Sequence, residues 1–175
     1  MNAPHAASSR PDAAAKQAGP DYTVNRMRLF AVRRLSTGET RLASSIFGGA
    51  INYARVRIVQ LPPLGFGAMA PFDRFIIFSN WRAARDFAAA DLLEQSWLIH
   101  ELAHVWQAKR GLVLPILKLG AMGKKAYRVP ADRKLRQMNI EAQAEVARLL
   151  FLARWGKADE KGPSQEDLEK LWRGA

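Results

Sequence analysis

The spacing of apolar residues changes character along the chain. Residues 1–20 have no period: Ala, Ser and Pro dominate, and the segment reads as a disordered tail. Residues 21–34 mix Met27, Leu29, Phe30 and Val32 with arginines and give no assignable element. The expectation is a disordered or weakly ordered basic tail over 1–34, then one domain over 35–175. Ser36 and Glu39 have capping-box spacing, which predicts a helix to about Phe47, ended by Gly48 and Gly49. From Ala54 to Leu61 the period shortens to two. Val56, Ile58 and Gln60 fall on one side, Arg55, Arg57 and Val59 on the other, and Pro62 and Pro63 stop the strand. Phe66 to Ala70 and Arg74 to Ser79 predict two more short strands, joined by a turn at Pro71, Phe72 and Asp73.

Helical spacing then takes over. From Asp91 to Arg110, Leu93, Trp97, His100, His104 and Gln107 share one stripe, and Leu98, Leu102 and Val105 another. A helix apolar on most sides is buried, so this one should be central, with Gly111 ending it. Residues 112–138 read as a long irregular connection. Asn139 is an N-cap candidate for a second long helix that stops before Gly156, and a short helix follows Pro163 and Ser164. Strands followed by helices make the fold class α+β: a small sheet packed on two long helices.

Composition narrows the chemistry. The 175 residues suit about one domain, and 49% apolar residues allow a sizeable core. No cysteine is present, which excludes disulfides, thiolate metal sites and cysteine nucleophiles. A metal site must draw on His, Asp or Glu, and the histidines number only three, at 5, 100 and 104. His5 lies in the tail and is set aside. The net charge of +11 favours anionic partners, such as nucleic acid or an acidic protein, or simply marks a soluble basic protein. No apolar run reaches the ~18 residues of a membrane span. No apolar leader opens the chain, so a cytoplasmic location is the default, with signal-independent export left open.

The central helix carries His100-Glu101-Leu102-Ala103-His104, a match to HExxH. Residues four apart on a helix share a face, so two imidazoles can grip one ion at ~2.0–2.1 Å while the glutamate between them stands beside it as general base. The competing reading is two ordinary helix histidines. Against it stands the cost of burying two histidines and a glutamate in an apolar helix without a compensating cation. A third ligand is needed. Six residues after His104 stands Arg110, and no later histidine exists, so the ligand must be a carboxylate. Of the eight acidic residues after His104, Glu141 and Glu145 stand out, four apart on the second long helix. Glu141 is the better ligand candidate, completing a His-His-Glu zinc site, and Glu145 a hydrogen-bond partner of a ligating histidine. For Glu145 the competing reading is an ion pair with Arg148.

These residues sit in a wider resemblance. The stretches LSTGETRLASSIFGGAINYARVRI, GAMAPFDRFIIF, LIHELAHVWQAKRG and NIEAQAEVARLLF, in that order over roughly residues 35–155, resemble the zincin-like metallopeptidase domain of Vgr-related proteins. That family is akin to the core domain of extracellular contractile injection systems. The resemblance implies a zincin-like fold and a gluzincin-type site. His100 and His104 would be ligands, Glu101 the base, Glu141 the third ligand and Glu145 a partner to a histidine. Pro71-Phe72-Asp73 and Ile76-Ile77-Phe78 depart from the family's usual Asp/Gly turn and tyrosine-containing strand, in a segment on the substrate side. Tyr127, on the connection between the two helices, is a candidate for stabilising the oxyanion, or else a packing tyrosine.

The expected function is therefore zinc-dependent hydrolysis, with a peptide or protein as substrate. Two other readings compete: an inactive zinc-stabilised interaction module of a secretion or phage-tail-like system, and a basic nucleic-acid-binding domain. Between Lys118 and Arg136, seven cations (Lys118, Lys124, Lys125, Arg128, Arg133, Lys134 and Arg136) face one acid, Asp132. This stretch is expected to rim the active-site cleft and favour acidic substrates, or to be a solvated loop.

Overall fold

A computed structural model of the protein describes residues 25–64, 67–79, 81–112, 127–130, 133–159 and 162–174. The tail to residue 24, Phe66, Lys118, Lys124, Lys125 and Asp132 lie outside the described residues. Four strands form one mixed sheet: β1 (Val32–Arg34), β2 (Arg57–Gln60), β3 (Ala68–Phe72) and β4 (Phe75–Phe78), in the order β1-β2-β4-β3. β2 and β4 run parallel, and the outer pairs are antiparallel. Among the described residues, four helices accompany it: α1 (Thr37–Phe47), α2 (Leu92–Lys109), α3 (Ile140–Arg154) and α4 (Gln165–Arg173). The α+β class expected from the sequence is the one observed.

Helix α2 is the centre of the molecule. It packs on β3 of the sheet, on α1 and along α3, and α4 closes the far side of α3. Asp91 caps it by accepting from the Glu94 amide at 2.8 Å. Residues 98–107 of α2 are all buried, in keeping with its all-round apolar pattern. Asn139 caps α3, accepting from the Ala142 amide at 2.9 Å. Trp172 of α4 donates from Nε1 to the Ile46 carbonyl at 2.9 Å and stacks near Phe47 and Trp106, which pins the last helix to the core. No helix among the described residues is long and apolar enough to cross a membrane.

Residues 25–34 correct the expected tail boundary at 35, because they belong to the fold. Met27 is in the core, and β1 pairs with β2 from Val32↔Val59 to Arg34↔Arg57. The reason is a charge pair that periodicity does not show, tied to distant backbone on both sides. Arg33 grips Glu39 at 2.6 and 2.7 Å and donates to the Ala84 carbonyl at 2.8 Å. The same Glu39 completes the α1 capping box with Ser36 and accepts from the Phe87 amide at 2.8 Å. Other boundaries shift by a few residues. The strand expected from Ala54 begins at Arg57, because Tyr53–Arg55 form a 3-10 turn. Pro71 and Phe72 belong to β3 rather than to the turn. β3 is an edge strand whose register shifts between Met69 and Phe72, which is where a proline can sit in a sheet.

Candidate metal centre

The two long helices meet at three side chains. His100 and His104 project from one face of α2, and Glu141 enters from the first turn of α3. Glu141 Oε2 lies 3.3 Å from His100 Nε2 and 3.3 Å from His104 Nε2. All three donor atoms fall within 4.8 Å of one another, and all three residues are buried. Bonds of ~2.0–2.1 Å to a tetrahedral ion set ligand–ligand separations of roughly 3.3–3.4 Å. The oxygen-to-nitrogen distances are those of a tetrahedral edge.

The hydrogen bonds around His104 fix its tautomer. Gln107 donates from Nε2 to the Ile140 carbonyl at 2.9 Å and to Gln143 Oε1 at 3.1 Å. Its Oε1 is therefore an acceptor, and it lies 2.8 Å from His104 Nδ1. The Nδ1 must carry a proton, so the neutral ring keeps its lone pair on Nε2. That Nε2 is buried and has no hydrogen-bond partner among the described residues. A buried lone pair aimed at a second imidazole and a carboxylate fits a cation, and a histidine–histidine–carboxylate donor set without sulfur suits zinc.

The electrostatics favour positive charge at the same spot. Burial works to lower the His100 pKa, but the Glu141 and Glu145 carboxylates outweigh it and raise the imidazolium to about 9. Glu101 adds to that potential, and its Oε2 is buried without a hydrogen-bond partner among the described residues. A bound cation would satisfy the same carboxylates that otherwise hold a proton on His100.

Glu145 lies beside His100 but pairs with Arg148, and the hydrogen bond expected from a ligating histidine is not formed. Its Oε2 is 3.6 Å from His100 Nδ1, an ion-pair distance rather than a hydrogen bond, while Arg148 holds both of its oxygens at 2.8 and 2.5 Å. Burial works to raise its carboxyl, but Arg148 and then His100 hold it down at about 2. Tyr127 packs its ring 5.8 Å from that of His100. Burial raises the Tyr127 hydroxyl, helped by the charges of Glu141, Glu101 and Glu145 and by a hydrogen bond with Glu141.

A cleft of about 430 Å³ opens on this cluster, lined by His100, Glu101, Tyr127 and Glu145 and by Gly67, Ala68, Phe78, Arg82, Trp97 and Arg148. Among the described residues of the connection, Tyr127 is the one that lines this cleft. Arg133, Lys134 and Arg136 line a different cavity, against Asp167 and Lys170 of α4. These three cations therefore do not rim the metal cleft, contrary to the expectation from the sequence. Gln107, Gln143 and Arg82 had no role in the sequence reading. Gln107 shared the histidine stripe, three residues after His104, and Gln143 stands between the two glutamates. Nothing in the sequence marked Arg82.

No family model matches the chain. A search of curated proteins matches the type VI secretion system spike protein VgrG2b of Pseudomonas aeruginosa, 34% identical over 135 residues. Among solved structures, the effector domain of Pseudomonas aeruginosa VgrG2b aligns with a TM-score of 0.60 and 26% identity, covering 91% of this chain and 88% of that one. This chain is homologous to the VgrG2b effector domain. The sequence match covers 70% of this chain but 13% of the spike protein, so the likeness concerns that one module and not the spike.

Proposed function

We propose that this chain is a zinc-dependent, zincin-like hydrolase, acting as a peptidase, that works as a module of a secretion apparatus. The observation that carries the reading is the convergence of His100 Nε2, His104 Nε2 and Glu141 Oε2, at tetrahedral-edge spacing to Glu141, beside a buried Glu101. Zinc bound there would supply Lewis acidity and lower the pKa of water to about 7. Glu101 then takes the proton of the attacking water and passes it to the leaving amine. Tyr127, whose ring packs on His100, would donate its hydroxyl toward the developing oxyanion. Gln107 holds the His104 ring in the ligating tautomer, and Glu145 steadies His100 from its outer nitrogen.

An extended peptide has a place to lie. β3 is an edge of the sheet, it packs on α2, and Ala68 lines the cleft. The outer side of Ala68 to Ala70 can add a strand before Pro71 removes the next donor. Synthesis in the cytoplasm and export through the secretion apparatus follow as part of the proposal, from the homology to a spike protein's effector domain.

The homology also favours a second reading, a secretion-associated module that uses zinc only to hold its fold. One comparison separates the two. Zinc-loaded wild-type protein should cleave an unfolded protein such as casein, and Glu101→Gln should lose that cleavage by roughly 100-fold or more while keeping its zinc. Equal cleavage by both would remove Glu101 as the base. No cleavage by either would leave the structural-zinc module.

A further inference from the structure

Two guanidinium groups reach the metal cleft, and their situations differ. Arg148 is engaged by Glu145 through both carboxylate oxygens. Arg82 has no carboxylate partner among the described residues. Its guanidinium carbon instead lies 4.9 Å over the ring of Trp97, which projects from α2 one turn before His100. Stacking occupies the face of a guanidinium and leaves its in-plane N–H groups free to donate.

The backbone beneath Arg82 is held from several sides. Its amide donates to the Ser79 carbonyl at 3.2 Å, and the next amide, of Ala83, donates to buried Gln60 Oε1 at 2.9 Å. Its carbonyl accepts from Arg26 at 2.8 Å, and Arg26 is itself clamped to Glu94 of α2 at 2.9 and 3.0 Å. Gly67, which also lines the cleft, stands beside Arg82: a Cβ added there would be in van der Waals contact, 4.0 Å from Arg82 Cδ. The cation is thus held by its backbone and by a π-face, and it lines the same cleft as Glu101. A fork-shaped donor fixed in this way is complementary to a carboxylate, which it can bind through two parallel hydrogen bonds.

We propose that Arg82 is a specificity-determining residue that selects peptides carrying a carboxylate next to the scissile bond, either an Asp or Glu side chain or the peptide's own C-terminus. The proposal rests on the peptidase reading above and names the substrate class of that site. It moves the acidic preference from the basic connection to one arginine built into the wall.

The test separates binding from turnover. A proteome-derived peptide pool, half of it C-terminally amidated, is passed over immobilised, zinc-loaded Glu101→Gln protein, and the same pool is digested by wild type. Retained peptides should be enriched in a carboxylate by ~10-fold or more, as the loss of a charge-assisted hydrogen-bond pair implies. Enrichment should vanish in the Arg82→Ala background, turn toward Lys and Arg in Arg82→Glu, and survive Lys157→Ala, a surface change of equal charge. Enrichment surviving amidation assigns the carboxylate to a side chain; enrichment lost with it assigns the C-terminus. Selective retention without digestion would end the peptidase reading and leave the Arg82 assignment standing. Retention without carboxylate enrichment, no retention at all, enrichment unchanged by Arg82→Ala, or equal loss in Lys157→Ala would overturn the proposal.

Discussion

Changing Gln107 to methionine tests whether the hydrogen bonds behind His104 were built for a ligand. The Gln107 side chain is fully buried and joins His104 Nδ1, the Ile140 carbonyl and Gln143. A methionine there would fill similar space but accept nothing from the imidazole. The main cost to the metal-free fold is the buried Nδ1–H left without an acceptor, about 1–3 kcal/mol. Ile140 loses a donor at a carbonyl with a second lone pair, and half-buried Gln143 can turn to water, so they add little. The effect on zinc should be larger in proportion. Without Gln107 the ring can rotate or shift its proton to Nε2, and partners of this kind typically contribute 10–100-fold in metal affinity. Competition against a chelator of known affinity reads that number, and urea unfolding of the metal-free protein reads the first. Gln143→Ala is the graded control: Gln107 Oε1 still accepts from His104, so affinity should fall by less. An unchanged zinc affinity in a well-folded Gln107→Met protein would refute the tautomer argument and remove one support for the metal site.

Three further perturbations follow from the same geometry. Tyr127→Phe should lower kcat by ~100-fold with KM little changed, since an oxyanion donor acts only in the transition state; equal turnover would limit Tyr127 to packing on His100. Glu145→Gln should weaken zinc by about 10-fold, because it removes the charge beside His100 Nδ1, and an unchanged affinity in a chelator titration would assign Glu145 to Arg148 alone. Glu39→Ala should cost about 3–5 kcal/mol in urea unfolding, by leaving Arg33 unpaired and the Phe87 amide without its acceptor; a loss below about 1 kcal/mol would show that β1 is held by its ladder alone.

Local signals carried most of the architecture. Capping boxes and caps at Ser36, Asp91 and Asn139 mark helix starts that depend only on residues within one turn. HExxH is legible for the same reason: the spacing that brings His100 and His104 together is set by the helix itself. The Glu141 candidacy followed from the absence of other donors, and the structure brings that residue to the histidines. What stayed hidden depends on long-range contact. Arg33 donates to the Ala84 carbonyl, its partner Glu39 accepts from the Phe87 amide, and Arg82 stacks on Trp97 of α2, none of which local spacing shows. Arg133, Lys134 and Arg136 depart from the expected rim because charge density along the chain does not say which cavity a side chain faces: they line the one against α4.

The proposed function stands or falls on whether His100, His104 and Glu141 hold one zinc ion. Elemental analysis of the purified protein after equilibration with a trace excess of zinc and gel filtration tests it most directly. The expected result is about one zinc per chain in wild type and in Glu101→Gln, and almost none in His100→Ala, His104→Ala or Glu141→Ala. A wild-type protein that retains no zinc, or a Glu141→Ala protein that retains a full equivalent, would contradict it.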